Sequence, residues 1–207
     1  GAIFHYLGEN QHKRLDHITS IARIEEERYV WLDRFTVRNL ELLSSTNENA
    51  KTLSDILDET QTAMGGRMLK RWMVLPLKNK GPIERRLSVV SFLKEHQELS
   101  FELSQRLKNI GDLERLISKV AVGKVNPKEV SHLKRTLTEI PSIKTLLQKK
   151  SNPKGLTEML DKLDPCEKLV ALIDKTLAEE PAGQFGKGEV IHSGWSKELD
   201  ELREIAY

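Results

Sequence analysis

The 207-residue chain has a single cysteine, Cys166, which excludes an internal disulfide and any zinc site built from several cysteines. Nothing in it demands an oxidising compartment, so the expected location is the cytoplasm. No apolar run approaches the roughly 20 residues of a membrane helix. The opening stretch GAIFHYLGENQHKRL also lacks the charged-then-apolar order of a secretory signal. A chain neither inserted nor exported is expected. An excess of one charge is missing too: 33 Lys and Arg face 31 Asp and Glu, a formal net charge of +2. That balance argues against a surface dedicated to polyanions, so any nucleic-acid contact must be local. Aromatic residues make up only 5% of the chain. None interleaves the basic clusters Lys78, Lys80, Arg85, Arg86 and Lys144, Lys149, Lys150, Lys154 as a base-stacking platform would require. Interspersed glutamates favour solvated helix faces for both.

Local chemistry is equally sparse. Histidines 5, 12, 17, 96, 132 and 192 form no H-x-x-x-H or H-x-H pair, so no short segment presents two imidazoles to a metal. Gly186-Lys187 matches the end of a phosphate-binding loop, but Pro181 stands where the motif needs glycine and Gly188 where it needs Ser or Thr. A flexible loop is the expectation there. Cys166 follows Pro165 at an expected helix start, where the helix dipole can lower a thiol pKa. With no base beside it, a small packing residue is the better reading. No nucleophile, base and oxyanion donor group locally, so no catalytic residue, metal ligand or cofactor contact is assigned.

What the chain does have is helical periodicity. Pro82 is expected at the first helical position, ahead of Ile83, Leu87, Val90 and Leu93 on one face. Leu99, Leu103 and Leu107 repeat the spacing. Gly111-Asp112 is expected to end that helix and cap the next, through Leu113, Leu116, Ile117 and Val120. Asn126-Pro127 and Asp164-Pro165 both read as cap followed by first helical residue, opening helices through Val130, Leu133, Leu137 and through Leu169, Leu172, Ile173, Leu177. Pro141 is expected to close the first of these. Leu156, Met159, Leu160 and Leu163 predict a short helix between them. RIEEERYVWLD reads as an extended run entering a helix capped by Asp33. EEPAGQFGKGEVIHSGW reads as a long loop, with Val190-Ile191 a candidate short strand. Ser196 caps a final helix with Leu199, Leu202 and Ala206 on one face. It has no stop signal before Tyr207, so the expectation is a fragment whose last helix continues in a longer protein.

TAMGGRMLKRWMVLPL places two glycines inside a basic amphipathic helix. Met64, Met68, Leu69 and Trp72 share one face, and Thr60 or Thr62 supplies the cap. Each interior glycine costs about 1 kcal/mol against alanine, so close approach of another backbone is the expected compensation, with Gly65 the tighter contact. Packing is favoured over phosphate binding, because a lone glycine motif is a weak signal.

LDRFTVRNLEL, TLSDILDETQTAMGGRMLKRWMVLPL, IERRLSVVSFL, IGDLERLISKVAVGKVNP and GEVIHSGWSKELDELREI resemble, in that order, the core domain of the MutS family of DNA mismatch-repair proteins. The family pattern is close to LD-x-x-T-x-x-NLEL, T-x-T-x-MG-x-R-x-L-x-x-W-x-x-x-PL and DLERL. Thr62, Gly65, Gly66, Arg67, Trp72 and Pro76 form the candidate structural motif. The resemblance implies an all-α core, or lever, domain. Residues 1–20 would end a connector domain, 21–195 form the helical core, and 196–207 begin the helix toward a DNA clamp. It implies a non-catalytic module of an ATPase that binds mismatched duplex DNA. ATP and Mg would belong to another domain, and the parent is expected to be a dimer with no membrane partner. The family's Phe-x-Glu mismatch wedge is missing, since none of the five phenylalanines has glutamate two residues on. Val37 and Phe35 stand where relatives commonly carry arginine and a small residue, which weakens any basic contact there. The alternative is a helical protein-interaction scaffold unrelated to DNA.

Overall fold

The computed structural model describes residues 2–9, 24, 26–47, 49–148, 151–184 and 186–205. Among these are eleven α-helices: α1 (Ala2–Glu9), α2 (Arg34–Asn39), α3 (Leu53–Leu57), α4 (Ala63–Val74), α5 (Lys80–Glu95), α6 (Gln97–Leu107), α7 (Leu113–Ala121), α8 (Pro127–Gln148), α9 (Lys154–Lys162), α10 (Glu167–Thr176) and α11 (Lys197–Ile205). Extended pairing among the described residues is confined to isolated antiparallel bridges, Tyr29 with Leu77 and Leu177 with Ile191. The architecture is all-α. No described helix is long and apolar enough to cross a membrane.

The 22-residue helix α8 is the spine. It packs against α6, α7 and α10, while α5 packs against α6 and α9. Their shared core is Phe92, Leu99, Ile143, Leu146, Leu147, Leu156 and Leu160, with Val89, Leu93, Leu103, Leu107 and Ile110 closing its edges. Each buried aliphatic side chain stabilises by ~1.5–3 kcal/mol relative to exposure. Those gains explain the first departure from the sequence reading. Pro141 does not end α8 but lies inside it. Proline in a helix interior costs about 3 kcal/mol through its lost amide and ring clash. Here Ile140, Ile143, Leu146 and Leu147 are all buried around it, and their combined burial outweighs that cost. Pro141 itself faces solvent.

Two helix starts also shift. α5 begins at Lys80, so Pro82 is its third residue. The first four helical amides have no intrahelical acceptor, so a proline there gives up no bond. The inward stripe of α5 is Val89, Phe92 and Leu93, whereas the expected Leu87 and Val90 are exposed. The register is chosen by α9, whose Gly155 lies against the Arg85 carbonyl and Val89. At Asp164-Pro165 the helix starts later than expected. Asp164 Oδ1 accepts from the Cys166 amide at 2.8 Å, an Asx turn that competes with helix. Cys166 becomes the cap residue in a left-handed conformation, φ 50, and α10 opens at Glu167.

Other caps match their sequence signals. Asp33 Oδ1 accepts from the Thr36 amide at 2.7 Å, and that backbone bond holds its carboxyl below the usual range. Asn126 and Glu129 exchange side-chain-to-amide bonds of 2.9 and 3.0 Å at the start of α8, a capping box. Asp112 caps α7, accepting from the Arg115 amide at 3.2 Å. Gly111 does not end α6, which stops at Leu107; its amide instead donates to the buried Thr136 hydroxyl at 2.9 Å. The long loop is pinned by Ala178 N to Val190 O and His192 N to Thr176 O. Val190 is buried and Ile191 pairs with Leu177, so the candidate strand shortens to one bridge. Ser196 Oγ accepts from the Leu199 amide at 3.3 Å at the start of α11. Leu202 is exposed there, and Ala206 lies outside the described residues.

Candidate functional site

Helix α4 is capped by Thr62, whose hydroxyl accepts from the Gly65 amide at 2.9 Å. It contains no buried residue. Of the stripe read as core, Met68 and Trp72 are exposed while Met64 and Leu69 are half-buried. Met64, Met68 and Trp72 instead line an open cleft of about 630 Å³, joined by Leu75, Arg71 and Arg86. The glycines are corrected too. A Cβ on Gly65 would meet Thr62 Oγ1 at 3.0 Å and Thr60 Cβ at 3.3 Å, and one on Gly66 would meet Asp58 Oδ2 and Thr60 Oγ1, both at 3.3 Å. Their close neighbours are side chains of the capping turn, not the backbone of another helix. The turn is compact because Asp58 Oδ1 accepts from the Thr60 hydroxyl at 2.6 Å, folding Thr60 back over α4.

Arg67 carries the strongest electrostatic feature. Its Nη1 and Nη2 donate to Asp112 at 2.8 and 2.7 Å, and its Nε and Nη2 donate to Glu114 at 3.0 and 2.6 Å. A planar guanidinium matches such paired carboxylates better than any other side chain. The fork joins α4 to the N-terminal turn of α7. The Asp112 carboxyl is drawn down to about 2, first by the Arg67 hydrogen bonds. Arg67 is pushed above its ordinary value, first by Asp112 and then by Glu114. Asp112 therefore serves as helix cap and as anion at once.

The other wall of the cleft is set by α5. The Arg86 guanidinium lies 3.5 Å from the centroid of the Trp72 ring, a cation–π contact. Burial lowers the Arg86 pKa. Pro76 follows the end of α4, and its carbonyl accepts from the Val30 amide at 2.8 Å, while the Lys78 amide donates to the Arg28 carbonyl at 3.0 Å. These bonds hold Tyr29, which also lines the cleft, beside Leu77. The motif positions Thr62, Gly65, Arg67, Trp72 and Pro76 thus lie at the cleft or on its frame, and Gly66, inside α4, faces the Asp58 and Thr60 side chains of the capping turn.

The remaining candidates stay apart. His96 Nδ1 lies 2.9 Å from the Phe92 carbonyl, His192 Nδ1 2.7 Å from the Ser193 carbonyl, and His5 beside Glu9. His132 is exposed, while His12 and His17 lie outside the described residues. Among the described residues no three His, Cys, Asp or Glu side chains group to hold a metal. In the basic clusters, Lys80 pairs with Glu84, Lys154 with Glu158, and Lys144 donates to the Leu163 carbonyl at 2.8 Å. Lys149 and Lys150 lie outside the described residues. Sequence reading missed the Asp112 and Glu114 partners of Arg67 and the Arg86 cover of Trp72. The signal for the first was present only as two separate motifs, MGGRMLKRW and GDLER, some 45 residues apart.

The family profile of MutS domain III matches residues 35–206. The chain belongs to the MutS domain III family. Its full length aligns at 49% identity with the DNA mismatch repair protein MutS of Christiangramia forsetii, at 50% with that of Flavobacterium psychrophilum and at 46% with that of Bacteroides fragilis. In each case it spans 24% of the relative's length. The Arg67 fork therefore joins two segments of one domain III fold, both within the matched range.

Proposed function

We propose that the chain is the non-catalytic helical core, or lever, of a MutS-type ATPase that binds mismatched duplex DNA in mismatch repair, and that it couples the ATP site to the DNA clamp. The observation that carries the reading is the domain III match over residues 35–206, joined to full-length alignment with proteins named for mismatch repair. On this reading residues 1–20 belong to a connector and 196–207 lead toward the clamp. ATP, Mg and the phosphate loop belong to a separate domain, and the parent is a cytoplasmic dimer. Stiff elements suit the role, because coupling needs packed units with discrete arrangements. On this reading the 22-residue α8 and the Arg67 fork between α4 and α7 supply the stiff elements. The competing scaffold reading draws on the exposed Trp31, Phe35 and Phe101.

The test compares the complete protein with its Arg67→Ala variant, measuring mismatched-duplex affinity and ATP-triggered release separately. Retained affinity with slowed release is expected. Unchanged release would remove the fork from the coupling path. A complete polypeptide with no phosphate loop and no preference for mismatched DNA would favour the scaffold.

A further inference from the structure

The α4–α5 cleft contrasts two kinds of cation. Arg67 is satisfied by two carboxylates and acts as a wall. Arg71 and Arg86 line the same space, and no ion pair with a carboxylate is found for either among the described residues. Arg86 is the more telling, because it is half-buried against one face of Trp72. With no carboxylate beside it, this guanidinium keeps the donors to pair with one that another segment brings. Met64, Met68, Trp72 and Leu75 give the same cleft an apolar lining. Methionine-rich floors accept varied apolar side chains by changing rotamer.

We propose that this cleft receives an apolar segment bearing a carboxylate, supplied by another domain of the same polypeptide, with Arg71 and Arg86 pairing with the carboxylate and Met64, Met68 and Trp72 seating the apolar side chains. The inference rests on the chain being one module of a longer protein. The relatives support an occupant from the same polypeptide, because this chain spans only 24% of their length. Charge complementarity selects an acidic segment, and the Arg67 fork holds the cleft wall in place before the segment arrives.

The test replaces Met68, an exposed cleft residue, with the photo-crosslinker benzoylphenylalanine in the complete protein, and maps the adducts by peptide mass spectrometry. The expected product is an intramolecular crosslink to an apolar segment with Asp or Glu within about one helical turn. Arg71→Glu and Arg86→Glu should each cut its yield about tenfold through like-charge repulsion. Arg71 is exposed, so its variant remains decisive if Arg86→Glu disturbs the Trp72 stack; circular dichroism checks that each variant is folded. Crosslinks to DNA, to a second copy or to another protein would overturn the proposal. So would adducts with solvent alone, a target lacking a carboxylate, or yields that ignore both charge reversals. Mismatched-duplex binding measured on the same preparations separates the two readings: binding without the crosslink sinks the cleft occupant and leaves the module's proposed role standing.

Discussion

The segment from α2 to α4 and the body from α5 to α10 use similar amphipathic sequence in different ways. In the body, side chains from four helices close on one another around Phe92, Leu147 and Leu160, and the buried Thr136 hydroxyl is matched by the Gly111 amide. In the front segment α2 and α4 bury nothing fully. Its order comes from capping turns at Asp33, Thr52 and Thr62 and from the Arg67 fork. Leu42 is buried, but Phe35, Leu40, Ile56 and Met68 remain exposed. Caps set where a helix begins but do not cover its apolar face. The front is therefore locally well specified and still has surface to offer, which is why the cleft is found there.

The sharpest way to break this comparison is to cut one apolar side chain in each region. Leu160 is 4% exposed in the α5–α9 contact, and Leu160→Ala should destabilise by ~2–5 kcal/mol in urea melts. Phe35 is 75% exposed, and Phe35→Ala should stay within about 0.5 kcal/mol of wild type in the same 207-residue chain. Comparable losses would mean that the front has a hydrophobic closure of its own.

A glycine swap gives the next largest effect. A Cβ on Gly155 would meet the Arg85 backbone carbonyl at 3.1 Å and Val89 Cγ2 at 3.3 Å. A carbonyl within α5 can move only with its helix, so Gly155→Leu should cost ~1–3 kcal/mol by overpacking. This is the close backbone approach that the sequence reading assigned to Gly65. A leucine tolerated at position 155 without loss would show that α9 can slide on α5.

That misplacement shows what one sequence can and cannot disclose. The caps at Asp33, Asp112 and Asn126 were legible because a cap is a bond between residues three apart. α6 was legible because Leu99, Leu103 and Leu107 offer a single apolar stripe. α5 carries more than one apolar stripe, and only its contact with α9 selects among them. Pro141 was misread because a local penalty is visible in sequence while the burial on either side is not. At the site, motif order disclosed the family and marked Arg67 and Trp72 as structural. It did not disclose that Arg67 reaches Asp112 and Glu114, or that Arg86 covers Trp72, since those pairings depend on how helices far apart in the chain pack.

Within the front segment the glycine pair should separate by smaller amounts. At Gly65 a side chain crowds Thr62 Oγ1, which is already committed to the cap. Displacing that oxygen forfeits a cap worth about 1 kcal/mol, offset in part by the ~0.5–1 kcal/mol that a glycine loses in a helix. Gly65→Leu should therefore destabilise by less than Gly155→Leu. Gly66→Ala meets only the ends of Asp58 and Thr60, and should stabilise by a few tenths of a kcal/mol. Denaturant midpoints for the three variants check the order. A loss at Gly65→Leu equal to that at Gly155→Leu would mean that the capping turn is as unyielding as a helix backbone.

The smallest effect is expected from the fork, because an ion pair this open to solvent is screened. Its sign and pH window are nonetheless fixed. Asp112 has an ordinary pKa of 3.8 and is drawn to about 2 in the folded chain. A depressed folded pKa means that the unfolded state takes up the proton first as pH falls. The fork's contribution is therefore complete above the unfolded value near 4 and is lost as pH falls toward the folded value near 2. Removing Arg67 releases Asp112 from its largest perturbation but leaves the Arg115 amide bond and the other depressed carboxyls, at Asp33, Asp55, Asp58, Glu129 and Asp174, in place. Wild type and Arg67→Ala melted in parallel from pH 6 to about pH 2 should thus differ by a constant amount above pH 4, and the difference should shrink below it. The same experiment in 0.5 M salt, on the order of a 4 Å screening length, should reduce the plateau without moving the window. A difference that stays constant down to about pH 2 would show that Arg67 supports the front through packing against Asp112 and Glu114 and not through their charge, and the front segment would then be held by the same kind of contact as the body.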